Sequence, residues 1–112
     1  MKKLRSILVI LTLFLPTNVY AFSQSGIASY YWQPQPVACG GRFNPNAMTA
    51  AHRTLKCGTK VKVKGKNGRI VIVTINDRGP YIRGRIIDLS LAAAKKMRMT
   101  KSGLLRVQIE RL

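Results

Sequence analysis

Acidic side chains are almost missing from this chain. Asp77, Asp88 and Glu110 are the only carboxylates among 112 residues, against 20 Lys and Arg, for a formal charge of +17. So few acids exclude a calcium cage of the EF-hand kind, which gathers several carboxylates in one loop. Cysteine is equally scarce: Cys39 and Cys57 are too few for a four-cysteine zinc site. No Gly-rich loop ends in Gly-Lys-Ser/Thr, so nucleotide hydrolysis of that type is not expected. The apolar run from Ile7 to Leu15 is too short to span a bilayer. No cofactor and no metal is expected. What is present is a hydrophobic content of 46% with 21% charge, too apolar for a disordered basic tail. The length suits one small domain.

The first residues read as sorting information. Lys2, Lys3 and Arg5 precede the apolar run, Pro16 breaks it, and Val19-Tyr20-Ala21 offers small residues at the cleavage-determining positions. Residues 1–21 are therefore expected to be a signal peptide cut after Ala21. With no Cys at or just after that point, no lipid anchor and no stable membrane attachment is expected after cleavage. Removal of three cations would leave residues 22–112 with a formal charge of +14. In the cytosol such a charge would suggest nucleic acid. After export, to the periplasm or the medium, the available polyanions are cell-wall polymers, lipid headgroups and surface glycans. Nucleic acid is then not an expected partner, and a monomer is expected. In an oxidising compartment, Cys39 and Cys57 most simply form a disulfide, worth roughly 3 kcal/mol by chain entropy. The alternative is a metal held by Cys39, His52 and Cys57.

The rest reads as strands with turn punctuation. Residues 25–31 are β-prone; Pro34 and Pro36 then open a loop holding Cys39, Gly40 and Gly41. Residues 46–52 suggest one helical turn. Residues 60–64 alternate as KVKVK, which turns Val61 and Val63 inward. Asn67-Gly68 signals a hairpin, and residues 69–75 form the return strand. That strand is apolar at nearly every position and is expected to be the most buried one. Residues 84–89 form a further strand, Ser90 caps a short helix through Met97, and residues 104–109 close the chain. Five or six short strands without repeats point to a small closed β-barrel, because closure removes open edges.

Two of the three acids fall in the Gly- and Arg-rich segment 74–90. Asp77 is followed by Arg78, and Arg85 precedes Asp88. The pattern fits either two structural Asp–Arg pairs or a catalytic pair of carboxylates. Tyr30, Tyr31, Trp32 and Tyr81 are candidate platforms for sugar stacking, with Trp32 the preferred exposed one; strand aromatics equally often serve a core. His52 fits either a hydrogen-bonded structural residue or a groove residue.

Four motifs occur in order: Gly26–Ala28-Ser29-Tyr30-Tyr31; Arg42-Phe43-Asn44 with Asn46-Ala47-Met48-Thr49-Ala50-Ala51-His52; Ile75-Asn76-Asp77-Arg78-Gly79-Pro80; and Gly84-Arg85-Ile86-Ile87-Asp88-Leu89-Ser90. This series resembles the rare lipoprotein A family of septal lytic transglycosylases. The resemblance implies an all-β fold for residues 22–112: a small six-stranded double-psi β-barrel with one or two short helices. It also implies cleavage of peptidoglycan glycan strands, preferably strands stripped of stem peptides. Asp77 is then the expected acid/base, with His52 in the same groove and Asp88 matching an Asp of related polysaccharide-binding barrels such as expansins. Thr49, Asn76 and Arg78 join the aromatics as expected substrate contacts. The chain departs from the family pattern at Gly41, where relatives carry Glu, and at Cys39 and Cys57. A lytic transglycosylase can work with one carboxyl, because the sugar's own C6 hydroxyl is the nucleophile. The alternatives are a non-catalytic, expansin-like wall-binding module and a basic protein held nonspecifically by polyanions.

Overall fold

The computed structural model describes residues 22–112; the expected signal peptide lies outside the described residues. Among the described residues, six strands, β1 (Ser23–Tyr31), β2 (Thr49–Ala51), β3 (Lys60–Gly65), β4 (Ile70–Asp77), β5 (Arg85–Ser90) and β6 (Leu105–Arg111), and one helix, α1 (Leu91–Lys96), follow one another with α1 between β5 and β6. The strands close into a barrel in the order β1-β5-β2-β4-β3-β6. Two neighbouring pairs, β1 with β5 and β2 with β4, run parallel, and the other pairs are antiparallel.

Period-two alternation builds the core. Val61, Val63, Val71, Val73, Ile75, Val107 and Ile109 point inward from β3, β4 and β6. Ile87 and Leu89 of β5 join them, and Ala93, Ala94, Met97 and Met99 close one end. Each large side chain buried this way contributes about 1.5–3 kcal/mol. Gly26 and Gly65 mark close approaches. A Cβ at Gly26 would stand 2.6 Å from Ile86 Cγ2 and 3.2 Å from the Gly84 carbonyl, where β1 crosses β5.

Two expectations are corrected. Residues 46–52 form no helical turn: a bend leads into β2, whose three residues are held between β4 and β5. The local preference of Ala and Met for helix yields to these two ladders. Nor is the return strand β4 the most buried one. It alternates, with Ile70 and Ile72 52% and 51% exposed, whereas β5 buries four of its six residues.

A second, smaller cluster of Tyr31, Val37, Phe43 and Ala51 secures the long loop after β1. Tyr31 and Phe43 stack with ring centroids 4.2 Å apart. Cys39 and Cys57 form a disulfide that ties this loop to the one before β3.

Candidate active site

The register of β2 brings the two acids together. Ala51 pairs with Asp77 of β4 on one side and with Asp88 of β5 on the other. The two backbones are therefore separated by two strand spacings, roughly 9–10 Å. Both side chains line a cleft of about 310 Å³. Ala51 of β2, Ser29 and Tyr31 of β1, and the segment from Arg78 through a cis Gly79–Pro80 peptide to Ile82 line it with them.

Asp77 is held by three donors. Its Oδ1 accepts from the backbone N–H groups of Ala38 and Arg78, each at 2.9 Å, and its Oδ2 accepts from the Tyr31 hydroxyl at 3.1 Å. Burial, the Asp77 charge and this hydrogen bond push the Tyr31 phenol well above its ordinary range, so it remains a donor. Asp88 is held more loosely, its Oδ1 accepting from Ser29 Oγ at 3.1 Å. Burial raises its pKa; the Ser29 hydrogen bond and Arg85 oppose the shift, and Asp77 adds to it. Such an acid keeps its proton to higher pH than an ordinary aspartate.

The arginines do not pair with these acids. Arg78 Nη1 donates to the carbonyls of His52 and Leu55 at 3.1 and 2.6 Å, and its Nη2 reaches Cys57 Sγ at 3.7 Å. Arg53 Nε donates to the Pro80 carbonyl at 2.6 Å. Among the described residues the one salt bridge joins Lys62 and Glu110 at 3.9 Å. In place of an Asp77 pair, Arg78 bonds loop carbonyls, as Arg53 does, while Arg85 acts on Asp88 through its charge without a salt bridge.

Of the other expected site residues, Tyr31, Arg78 and Tyr81 line this cleft, and Tyr81 is 77% exposed at its rim. His52 does not share it. Its buried ring lines a separate small cavity with Phe22, Gln24 and Ile86. Nδ1 accepts from the N–H groups of Thr54 and Leu55, and Nε2 bonds Gln24 Oε1 at 2.9 Å. Burial, with Arg78 and Arg53 nearby, lowers its pKa. The physical reason for this placement is the loop after β2, which needs an internal acceptor to turn. Tyr30 packs on the core and donates to the Thr100 carbonyl at 2.9 Å. Trp32 is half-exposed beside Tyr30, away from the acids. Thr49 Oγ1 and Asn76 Oδ1 are buried without a partner and do not reach the cleft. Gly41 has a φ of +81° and open space around it.

Ser29, Gln35 and Arg85 also line the cleft; in the sequence Ser29 stood only as a member of the first motif and Arg85 as a charge near Asp88, and Gln35 gave no signal. The Ala38 N–H is a backbone donor and leaves no signal in residue type.

The model of a protein family described as lytic transglycolase matches residues 23–109. The chain belongs to this family. Relatives of the chain include a probable endolytic peptidoglycan transglycosylase RlpA from Nostoc sp., 54% identical over 94 residues, which are 79% of this chain and 25% of that protein. The endolytic peptidoglycan transglycosylase RlpA of Neisseria meningitidis is 43% identical over 88% of this chain and 44% of its own length. The chain thus spans a quarter to under half the length of these relatives. Among solved structures, the Streptomyces papain inhibitor superposes with a TM-score of 0.68 at 25% identity, over 81% of this chain and 94% of that one. An expansin of Clavibacter michiganensis gives 0.64 at 22% identity, over 81% of this chain and 50% of that one. The fold is the double-psi barrel that the motifs implied.

Proposed function

We propose that this protein cleaves peptidoglycan glycan strands as a lytic transglycosylase through Asp77 and Asp88, with Asp88 as proton carrier in place of Asp77, the acid/base that the family resemblance implies. One observation carries the reading: two carboxylates in different environments flank Ala51 in a single open cleft. Two acids set apart by burial and hydrogen bonding are how one site divides acid and charge-stabilising work. Asp88, raised by burial and bonded through only one oxygen, is suited to protonate the glycosidic oxygen. The bond from that oxygen to C1 then breaks, and positive charge develops at C1. Asp77, with three donors fixing its position, faces that charge. The C6 hydroxyl of the same sugar attacks C1, and its proton returns to Asp88. No water is consumed, so the product is a 1,6-anhydro end. This arrangement needs no third carboxylate at Gly41. Tyr81 at the rim supplies a ring on which a sugar can stack. The reading requires export, and the Cys39–Cys57 disulfide supports it, since such bonds persist in oxidising compartments.

The test is digestion of peptide-stripped peptidoglycan by the protein, by Asp88→Asn and by Asp77→Asn, followed by mass spectrometry. Anhydro-ended fragments are expected from the wild type, and a loss of about 100-fold or more from Asp88→Asn. Fragments heavier by one water would mean hydrolysis. Glycan bound by all three proteins and cut by none would leave a wall-binding module.

A further inference from the structure

The outer face of β3 and β4 carries a pattern that glycan cleavage does not use. Alternation sends valines into the core and turns Lys62, Lys64, Ile70 and Ile72 outward. The antiparallel register sets Lys64 directly beside Ile70 and Lys62 beside Ile72. Both isoleucines are about half exposed. On their other side, Met48 and Lys96 complete an open groove of about 390 Å³ with them. An aliphatic strip therefore runs between lysines on both flanks. It is distinct from the cleft: Ile72 precedes Asp77 by five residues of extended strand, roughly 17 Å, and the two cavities share no lining residue.

We propose that this face docks on an anionic lipid bilayer, with Ile70 and Ile72 entering the headgroup boundary and Lys62, Lys64 and Lys96 meeting lipid phosphates. The combination selects the partner. Side by side on one strand, Ile70 and Ile72 leave an apolar strip that a partner can cover. A dissolved polyanion would engage the lysines and leave the isoleucines in water. A glycan is gripped by aromatic rings, and this face presents none. A second copy of the chain would bring lysine rows against each other, with the single carboxylate of Glu110, 3.9 Å from the Lys62 ammonium, to offset them. A bilayer satisfies both halves at once: lysine stems lie along the apolar boundary while their ammonium groups reach outward to phosphate. Attachment in this orientation would leave the cleft, farther along β4, free for the cell wall.

Residues 22–112 contain every strand of the closed barrel and both cysteines, so this segment tests the face without the apolar leader. It is floated with vesicles of phosphatidylcholine, and with vesicles containing about one-third phosphatidylglycerol. Flotation with the anionic vesicles alone is expected. Ile70→Thr/Ile72→Thr, which keeps β-branched residues on the strand, is expected to weaken binding at least about tenfold with an unchanged circular dichroism spectrum. Lys62→Gln/Lys64→Gln/Lys96→Gln is expected to weaken it to a similar degree. Wild-type protein that stays with the unbound fraction on anionic vesicles overturns the proposal. So does an isoleucine variant that floats like wild type, since adsorption would then follow net charge alone. Isoleucine-dependent retention on soluble polyglutamate, equal to that on vesicles, overturns the lipid assignment. Glycan digestion by the same variants is read separately, because neither isoleucine borders the cleft.

Discussion

Asp88 and His52 show burial acting in opposite directions on an acid and a base. The folded protein holds a proton on Asp88 above the ordinary value of 3.8, so the unfolded chain binds fewer protons in that window. Stability linked to Asp88 is present at low pH and is lost as pH rises through its folded pKa. Asp88→Asn is therefore expected to melt higher than wild type at neutral pH while losing cleavage, a comparison that thermal melts at several pH values make directly. His52 runs the other way. Its lowered pKa means that the unfolded chain takes up the proton first, and stability falls as pH drops below about 6.5. His52→Ala is expected to cost about 1–3 kcal/mol, because the N–H groups of Thr54 and Leu55 lose their acceptor. It should also flatten the acid limb of the stability profile, which denaturant titrations at pH 5 and 7 would reveal. That the two aspartates lie near each other was legible because both fall in one turn-rich segment, whereas a catalytic role for them is implied only by the family resemblance. The role of His52 was not legible there. Which way its ring points depends on the loop it stabilises, and residue type carries no trace of that.

At the level of elements, pattern succeeded where the contacts were local. The KVKVK alternation, the hairpin at Asn67-Gly68 and the cap at Ser90 all stand where the sequence put them, within one or two residues. Ser90 does more than cap. Its Oγ accepts from Ala93 N–H at 3.2 Å and donates to the Ala47 carbonyl at 2.6 Å, so it pins the loop before β2 to the start of α1. Ser90→Ala is expected to cost about 1–3 kcal/mol, measured by urea unfolding, since both partners lose a bond in a buried setting. The misread elements are those fixed at long range. β2 is a strand because β4 and β5 flank it, and no window of its own residues contains that information. The outward face of β4 likewise could not be read from a run of isoleucine and valine, whose two faces look alike until the lysines of β3 are laid beside it.

For the whole molecule, the disulfide links the cleft to overall stability. Cys39 N–H bonds the Asn76 carbonyl at 3.1 Å, and its neighbour Ala38 donates to Asp77. Reduction is expected to cost roughly 3 kcal/mol and to lower the melting temperature by about 10–20 °C. It should also reduce cleavage below the melting point, because the loop carrying the Ala38 donor is released; melts and digests with and without reductant test both effects. The order of strands around the barrel has a consequence for how the chain is made. β1, the first strand of the barrel in chain order, has as its two neighbours β5 and β6, the last two. Until both are made β1 has no partner, so the barrel cannot close, although the β3–β4 hairpin can form earlier. The export that the proposed function requires would gain from that delay, because a barrel whose first strand lacks both neighbours cannot close before passage.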